Sequence, residues 1–196
     1  MKTLITEFIS LDGVVQAPGG ANEDTDGGFS HGGWSTKYFD PAVMGGMYAE
    51  LAAKSDALLQ GRRTYQVSAA AWPSRSGDPF TDWINRVPKY VVSDALTEKD
   101  AIWNPTTIIR AANFLNTVTE LRARPGGYIY VYGSATMVRS LLEADLVDEL
   151  LLTIEPIILG GGKTIFTENG KAIPFTLESS VKASTGAQVC RYIRAW

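Results

Sequence analysis

The chain has 196 residues, of which 45% are hydrophobic and 20% charged, and its formal net charge is −3. This composition is typical of a globular protein, and an acidic balance without any basic run argues against a nucleic-acid partner. No stretch approaches the roughly 18 apolar residues of a spanning helix, so no membrane partner is expected. One cysteine and one histidine cannot assemble a zinc site, so no metal is expected, and the lone Cys190 suggests a reducing, cytoplasmic location.

Strand-like and helical segments alternate along the chain, which predicts a mainly parallel sheet with helices on its faces. Apolar and β-branched runs predict strands over residues 2–10, 57–60, 89–93, 106–110, 128–132 and 147–154. Helical spacing of apolar residues predicts helices over 41–55, 62–71, 112–124 and 135–144. The segment 73–88 carries several prolines, so we expect a connection with at most one short helix around 82–86. Residues 175–184 and 188–195 are expected to form an antiparallel pair within a single domain over 1–196.

A glycine-rich segment separates the first predicted strand from the first predicted helix. Residues 17–33 contain six glycines together with Asn22, Asp24 and Asp26. Loops of this length without regular structure are often functional lids, although plain surface disorder is equally compatible with the pattern. Trp34 and Phe39 follow the loop, where they could cover a substrate or simply anchor the loop.

Two short motifs imitate catalytic signatures but lack the required surroundings. The G-x-S-x-G spelling of residues 28–32 follows a polar loop rather than a strand, and the only histidine, His31, lies within it, which argues against a serine hydrolase. The Gly-Gly-Gly-Lys-Thr run at 160–164 lacks the first glycine of a phosphate-binding loop and precedes no long helix. An ATPase is therefore not expected.

Small, hydroxyl or basic residues follow three of the predicted strands. These segments are Gly61-Arg62-Arg63-Thr64, Ser93-Asp94 and Gly133-Ser134-Ala135-Thr136. Ligands of open α/β sheets bind beyond the carboxyl ends of parallel strands, so these segments are expected along one edge. Helix starts and guanidinium groups attract phosphate, and Ser134 can cap the helix that follows it. A surface arginine pair or an ordinary turn would explain each segment alone, but together they predict a dinucleotide, with Arg62, Arg63 and Ser93 favouring the 2′-phosphate of NADP.

These segments, in this order, resemble the dihydrofolate-reductase-like superfamily, and specifically the reductase domain of bacterial riboflavin-pathway deaminase-reductases. The matching residues are 10–13 (Ser-Leu-Asp-Gly), 59–65 (Leu-Gln-Gly-Arg-Arg-Thr-Tyr), 91–93 (Val-Val-Ser), 131–134 (Val-Tyr-Gly-Ser), 146–150 (Leu-Val-Asp-Glu-Leu) and 156–162 (Pro-Ile-Ile-Leu-Gly-Gly-Gly). The resemblance implies a three-layer α/β fold with a central mixed, mostly parallel sheet, flanking helices and a C-terminal antiparallel hairpin. It also implies a homodimer that binds NADPH across the strand ends and transfers a hydride to a small-molecule substrate.

The resemblance further implies which residues contact the coenzyme. They are Gly61, Arg62, Arg63 and Thr64 at phosphate, Ser93 near the adenosine phosphate, and Gly133, Ser134, Ala135 and Thr136 at the pyrophosphate. We expect Asp12 to act in catalysis, because it leaves the first strand beside the expected nicotinamide, although an Asp-Gly pair is also a common plain turn. Trp34, Met47 and Glu155 are the expected substrate contacts, with an exposed edge charge as the alternative for Glu155.

The riboflavin enzymes reduce a ribosylaminopyrimidine 5′-phosphate, so 5-amino-6-(5-phosphoribosylamino)uracil is the first candidate substrate. The zinc-deaminase motifs of the bifunctional enzymes are absent from this sequence. Dihydrofolate reductases carry an acid on the helix after the first loop, but here its inner face offers Met44, Met47, Tyr48 and Leu51, and Glu50 lies on another side. Dihydrofolate reductase activity is therefore an alternative, as is a non-catalytic NADP(H)-binding sensor or interaction module.

Overall fold

The computed structural model describes residues 1–195, and Trp196 lies outside the described residues. The strands of this part of the chain are β1 Lys2–Ser10, β2 Ser55–Gly61, β3 Lys89–Val92, β4 Thr106–Ile109, β5 Tyr128–Val131, β6 Glu149–Glu155, β7 Phe175–Lys182 and β8 Gln188–Arg194. They form one sheet in the order β4-β3-β2-β5-β1-β6-β8-β7. Neighbouring strands from β4 to β6 are parallel, whereas β8 pairs antiparallel with both β6 and β7.

Helices cover both faces of the sheet. The α-helices of the described chain are α1 Gly46–Ala53, α2 Arg62–Ala71, α3 Pro79–Arg86, α4 Phe114–Ala123 and α5 Ala135–Glu143. Tyr65 of α2 and Trp83 of α3 belong to the core on one face, which α1 also covers, while Val118 of α4 and Leu141 of α5 belong to the core on the other. The predicted three-layer architecture with a mostly parallel sheet and a C-terminal antiparallel pair is therefore confirmed. None of the described helices is long and apolar enough to cross a membrane.

Two helical segments differ from the sequence-based expectation. α3 spans eight residues rather than a short turn at 82–86. Its start is fixed because the Asp78 carboxylate accepts the N–H of Thr81 at 3.0 Å, and Pro79 suits the first helical position. The helix predicted over 41–55 begins as a π-helical turn and ends at Ala53, since Ser55 is already the first residue of β2.

β1 lies in the interior of the sheet and is covered on both faces. Leu4 and Ile5 are fully buried, and Ile9 is nearly so. Residues 3–7 are buried without a break, which is typical of parallel strands that lie between two helical layers. Glu7 is the one acid in this run, with only 7% of its surface exposed.

Candidate active site

The central strands separate at their carboxyl ends. β5 pairs with β1 only as far as Ile5 opposite Val131, and with β2 only as far as Leu59 opposite the same valine. β1 continues to Ser10 beside β6, and β2 continues to Gly61. A crevice therefore opens above the end of β5, between β1 and β2, which is where open α/β sheets bind ligands.

The starts of α2 and α5 meet at this crevice. The N–H of Gly61 donates to the carbonyl of Gly133 at 3.4 Å. A Cβ at position 61 would lie 2.4 Å from Ser134 Oγ, and one at position 133 would lie 2.9 Å from Thr64 Oγ1, so this approach requires glycine at both positions. Contrary to expectation, Ser134 makes no capping hydrogen bond in the part of the chain that the structure describes, and α2 has no side-chain cap there either. Two uncapped helix starts side by side are an arrangement that attracts anions.

The two arginines after β2 have different surroundings. Arg63 Nη1 donates to Asp24 and Asp26 of the glycine-rich loop, at 2.5 Å each, and Lys163 Nζ binds the same carboxylates at 2.6 and 2.7 Å. Hydrogen bonds from Arg63 and Lys163 hold the pKa of Asp26 well below its usual range. Arg62 is exposed, and its side chain has no hydrogen bond or ion pair within residues 1–195. Arg63 therefore fastens the loop, whereas Arg62 is exposed on α2, and the contact of either side chain with a coenzyme phosphate stays a prediction.

A cavity of about 1670 Å³ extends from the crevice across the face of the sheet that carries α1, α2 and α3. Its aromatic lining consists of Phe8, Phe39, Tyr48, Trp72, Phe80, Tyr130 and Tyr132. At the crevice it is lined by Arg63, Thr64, Gly133, Ser134 and Ala135. One space thus joins five of the predicted coenzyme residues to an aromatic compartment, and its volume exceeds the roughly 300–1,000 Å³ of a site for one small ligand.

Hydroxyl pairs supply polar groups in the cavity wall. The Tyr48 hydroxyl lies 2.6 Å from Thr153 Oγ1, and the Tyr132 hydroxyl lies 2.9 Å from Ser68 Oγ. Burial raises the pKa of both tyrosines above the usual range. Both phenols therefore stay neutral, and each can donate or accept a hydrogen bond.

Glu7 brings a carboxyl group to the crevice that the sequence reasoning missed. Its Oε1 accepts the N–H of Gly133 at 2.9 Å, and its side chain lines the cavity. Burial raises the pKa of Glu7 to about 8; the Gly133 N–H lowers the pKa, and the charge of Glu23 raises it further. The available signal was the one acidic residue within the predicted strand 2–10, since a charged residue is almost never buried in a parallel strand without a reason.

Glu155 lies at the end of β6, just behind the cavity wall. It is fully buried, and its Oε1 accepts the hydroxyl of Ser35 at 2.7 Å. Its Oε2 has no hydrogen-bond partner within the described chain. Burial raises the pKa of Glu155 to about 7, against the lowering effects of the Ser35 hydrogen bond and the Lys37 charge. Glu155 is therefore not an exposed edge charge, and Ser35 separates it from the cavity that Ser35 lines.

Asp12 lies outside the residues that line the cavity. Its exposed carboxylate accepts the Ser10 hydroxyl at 2.6 Å and the N–H groups of Leu159 and Gly160 at 3.1 and 2.8 Å. The Ser10 hydrogen bond, with those two N–H groups, lowers the pKa of Asp12. Asp12 therefore holds the glycine turn at 159–162 at the end of β1, and its catalytic role stays a prediction.

Trp34 and Met47 also lie outside the cavity lining. The Trp34 side chain is buried, and its Nε1 donates to the carbonyl of Gln16 at 2.8 Å, which anchors the base of the glycine-rich loop. Met47 packs against the core beneath α1. Phe39, in contrast, is 43% exposed and lines the cavity, so of the two aromatic residues that follow the loop it is the one at the site.

Ser93 and Thr136 lie at the carboxyl edge but away from the cavity lining. The Ser93 hydroxyl accepts the N–H groups of Ala95 and Leu96 at 3.1 and 3.0 Å, which closes the turn after β3. Thr136 is exposed on the first turn of α5. Their contact with a coenzyme stays a prediction.

Comparison with solved structures identifies the same fold. A crystal structure of a candidate riboflavin biosynthesis protein from Shewanella sp. PV-4 superimposes over 100% of both chains with a TM-score of 0.76 and 20% identity. The Thermotoga maritima diaminohydroxyphosphoribosylaminopyrimidine deaminase/5-amino-6-(5-phosphoribosylamino)uracil reductase matches 99% of this chain and 56% of its own, with a TM-score of 0.64 and 10% identity. Enterococcus faecalis dihydrofolate reductase complexed with NADP(H) matches 100% of this chain and 97% of its own, with a TM-score of 0.61 and 12% identity. The fold is therefore the dihydrofolate-reductase-like fold that the sequence resemblance implied.

Sequence comparison gives the family. The YyaP protein of Bacillus subtilis (strain 168) is 29% identical over 190 residues, covering 94% of this chain and 90% of its own. The family model of the RibD C-terminal domain matches residues 2–189. The match runs through the crevice, both uncapped helix starts and the aromatic cavity, and the chain belongs to the RibD C-terminal domain family.

Proposed function

We propose that this chain is a reductase that transfers a hydride from NADPH to a small heterocyclic substrate, with 5-amino-6-(5-phosphoribosylamino)uracil as the first candidate. The observation that carries this proposal is the single space that joins two uncapped helix starts to an aromatic cavity. Membership of the RibD C-terminal domain family supports the reductase class, and the Thermotoga maritima protein of the same fold is named for this substrate.

The crevice residues suit the phosphates of the coenzyme. Gly61 and Gly133 allow the two helix starts to approach, and Thr64 and Ser134 place hydroxyl groups beside them. The pyrophosphate would lie against these N–H and hydroxyl donors, and Arg62 would bind the 2′-phosphate, with Ser93 and Thr136 at the periphery. NADPH, when bound, supplies the hydride, and the chain orients the coenzyme so that its nicotinamide end faces the cavity.

The cavity suits a planar heterocycle. Phe39, Tyr48 and Phe80 provide ring surfaces for stacking, and the Tyr48 hydroxyl, oriented by Thr153, can bond to carbonyl or amino groups of a pyrimidine. Ser35 presents a hydroxyl whose orientation is fixed by Glu155. These side chains would hold the substrate against the nicotinamide and exclude water from the transfer.

The test measures coenzyme binding and coenzyme oxidation separately. Calorimetry should detect tighter binding of NADPH than of NADH, and absorbance should report NADPH oxidation when the uracil substrate is added. Arg62→Ala should weaken NADPH binding by about tenfold while leaving NADH binding nearly unchanged, since one charge-assisted phosphate contact is lost. Arg124→Ala is the matched control, because Arg124 is exposed at the opposite edge of the sheet, before β5.

The outcomes separate the alternatives. Binding of NADPH without oxidation by the uracil substrate, dihydrofolate or related heterocycles would favour the sensor or interaction module. Oxidation with dihydrofolate alone would favour dihydrofolate reductase activity. No binding of any nicotinamide coenzyme would contradict the proposal.

We further propose a cytoplasmic homodimer. The edge strand β7 supports self-association, because its outer edge is unpaired and its residues are largely exposed, including Leu177 at 52% and Val181 at 39%. Light scattering should then give twice the chain mass of 21.3 kDa. A monomeric mass at assay concentration would contradict this part of the proposal.

A further inference from the structure

Glu7 is an acid in the middle of a buried strand, and it has no ion pair among residues 1–195. Its one side-chain hydrogen bond within the described chain is the 2.9 Å bond from the Gly133 N–H to Oε1. A buried carboxylate with a single N–H donor and no cation is costly, so the neutral acid is the favoured form. Burial accordingly raises the pKa of Glu7 to about 8.

The strand register brings this acid to the crevice. Among the described strands, β1 has no neighbour on its β5 side beyond the Ile5–Val131 pair, so Glu7 borders the gap above the end of β5. Gly133, which donates to Glu7, and Ser134 line the same space. These are residues that the proposed function assigns to the coenzyme, so Glu7 lies where the coenzyme and the cavity meet.

The charged and titratable groups around Glu7 favour its protonated form. Glu23 of the glycine-rich loop adds negative charge, and the phenols of Tyr48 on α1 and Tyr130 on β5 lie close enough for an ionised Glu7 to raise their pKa values. Three cationic residues line the cavity, and none of them pairs with Glu7 within the described chain. Arg63 and Lys163 are bound to Asp24 and Asp26, and the Arg75 guanidinium lies over the Trp72 ring, 4.9 Å from its centroid.

We propose that Glu7 is the acid that protonates the substrate during reduction, an inference that rests on the proposed reductase function. The hydride supplied by NADPH adds to the carbon of a C=N or C=O bond, and the π electron pair moves to the heteroatom. The Glu7 O–H bond breaks, and its proton passes to that heteroatom. The resulting carboxylate keeps the Gly133 N–H as a donor and is reprotonated by water through the open cavity.

The other carboxyl groups near the site fit this role less well. Glu155 lies behind Ser35 and does not line the cavity. Asp12 is exposed, its oxygens already accept three hydrogen bonds, and its pKa is lowered, so it is ionised at neutral pH and has no proton to give. Glu7 alone among the three lines the cavity with the proton in place at neutral pH.

The decisive variant is Glu7→Gln, which can still accept the Gly133 N–H but cannot transfer a proton. It should lower kcat by about 100-fold or more while changing the Kd for NADPH by less than about twofold. The wild-type kcat should fall above about pH 8, and the variant should lack this limb. Glu120→Gln, an exposed change of the same chemistry, is the control, and circular dichroism verifies that each variant is folded. Glu7→Asp, which keeps an acid of shorter reach, should recover part of kcat.

A second measurement keeps this inference separable from the proposed reaction. In protein with ¹³C-labelled glutamate, the resonance missing from Glu7→Gln should titrate near pH 8 and shift when NADP⁺ is added. If the wild type binds coenzyme but oxidises none with any substrate, the proposed function fails. The resonance shift then tests separately whether Glu7 holds its proton beside the bound coenzyme. Turnover by Glu7→Gln within about threefold of wild type, or a Glu7 resonance that coenzyme leaves unchanged, would overturn the inference.

Discussion

Replacing Glu7 by glutamine should flatten the pH dependence of folding stability. Burial raises the pKa of Glu7 to about 8 in the folded chain, from an ordinary value of 4.5 that the unfolded chain regains. Between these values the folded state holds a proton that the unfolded state has released. Stability therefore falls as pH rises through this window, by about 1.4 kcal/mol for each pH unit. Below the unfolded pKa, Glu7 is protonated in both states and does not lower the free energy of unfolding. Above the folded pKa, it is ionised in both states and the loss of stability is complete.

The expected magnitude is large for one side chain. From about pH 5 to about pH 8, Glu7 alone should lower the free energy of unfolding by about 4 kcal/mol. Ordinary domains have a total of about 5–15 kcal/mol, so the effect is easily measured. Glu155 provides an internal comparison, because burial raises its pKa only to about 7. Ionisation of Glu155 should lower the free energy of unfolding by about 3 kcal/mol, and this decrease should be complete near pH 7.

The assay is urea unfolding of the wild type and variants at several values between about pH 5 and pH 8. In Glu7→Gln, the free energy of unfolding should no longer show the decrease that Glu7 causes up to about pH 8. In Glu155→Gln, only the decrease that Glu155 causes below about pH 7 should be missing. Glu120→Gln should follow the wild type, since Glu120 is exposed. Parallel curves for the wild type and Glu7→Gln would refute the reasoning, because they would mean that Glu7 ionises alike in the folded and unfolded chains.

Three further substitutions probe the crevice and the loop. Arg62→Ala should weaken NADPH about tenfold more than NADH in calorimetry, and equal weakening would show that this side chain does not meet the 2′-phosphate. Asp24→Asn combined with Asp26→Asn removes four ion pairs from the glycine-rich loop. Limited proteolysis should therefore cut residues 17–33 faster than in the wild type, and unchanged cleavage would contradict the loop-fastening role. Asp12→Asn should keep NADPH affinity but slow turnover, because the turn that Asp12 fastens leads into Lys163, which lines the cavity. Unchanged turnover would reduce Asp12 to a turn residue.

The elements that the sequence predicted well are those fixed by local rules. The strand over 2–10 and the helix over 62–71 match the structure at both ends, since apolar runs and a glycine before the helix are local signals. Gly61 and Gly133 could be expected at one edge because parallel strands place their carboxyl ends together. α3 was underestimated because the prolines of 73–88 suggested a connection, although Asp78 and Pro79 form a capping pair that the sequence already contained.

The missed features depend on contacts between distant segments. The ion pairs of Arg63 with the loop could not be foreseen, because Asp24 and Asp26 lie 39 and 37 residues earlier in the chain and reach it only in the folded state. The importance of Glu7 depends on β5 ending at Val131, which leaves β1 unpaired beside it. No periodicity in one strand reports where its neighbour ends, so this acid could be seen in the sequence but not interpreted.

The buried acids at the two edges of the sheet are treated differently, and the difference identifies the functional edge. Glu149 at the amino end of β6 is 1% exposed, and Arg191 and Lys2 pair with it at 2.6 and 3.3 Å. Within the described chain, Glu155 at the carboxyl end of the same strand has only a hydroxyl donor, and Glu7, which lies opposite Leu152 on β1 and borders the crevice, has only an N–H donor. Pairing a buried charge protects the fold, whereas leaving an acid unpaired raises its pKa and costs stability. Unpaired buried acids are typical of functional sites, so their restriction to the edge with the crevice supports placing the chemistry there.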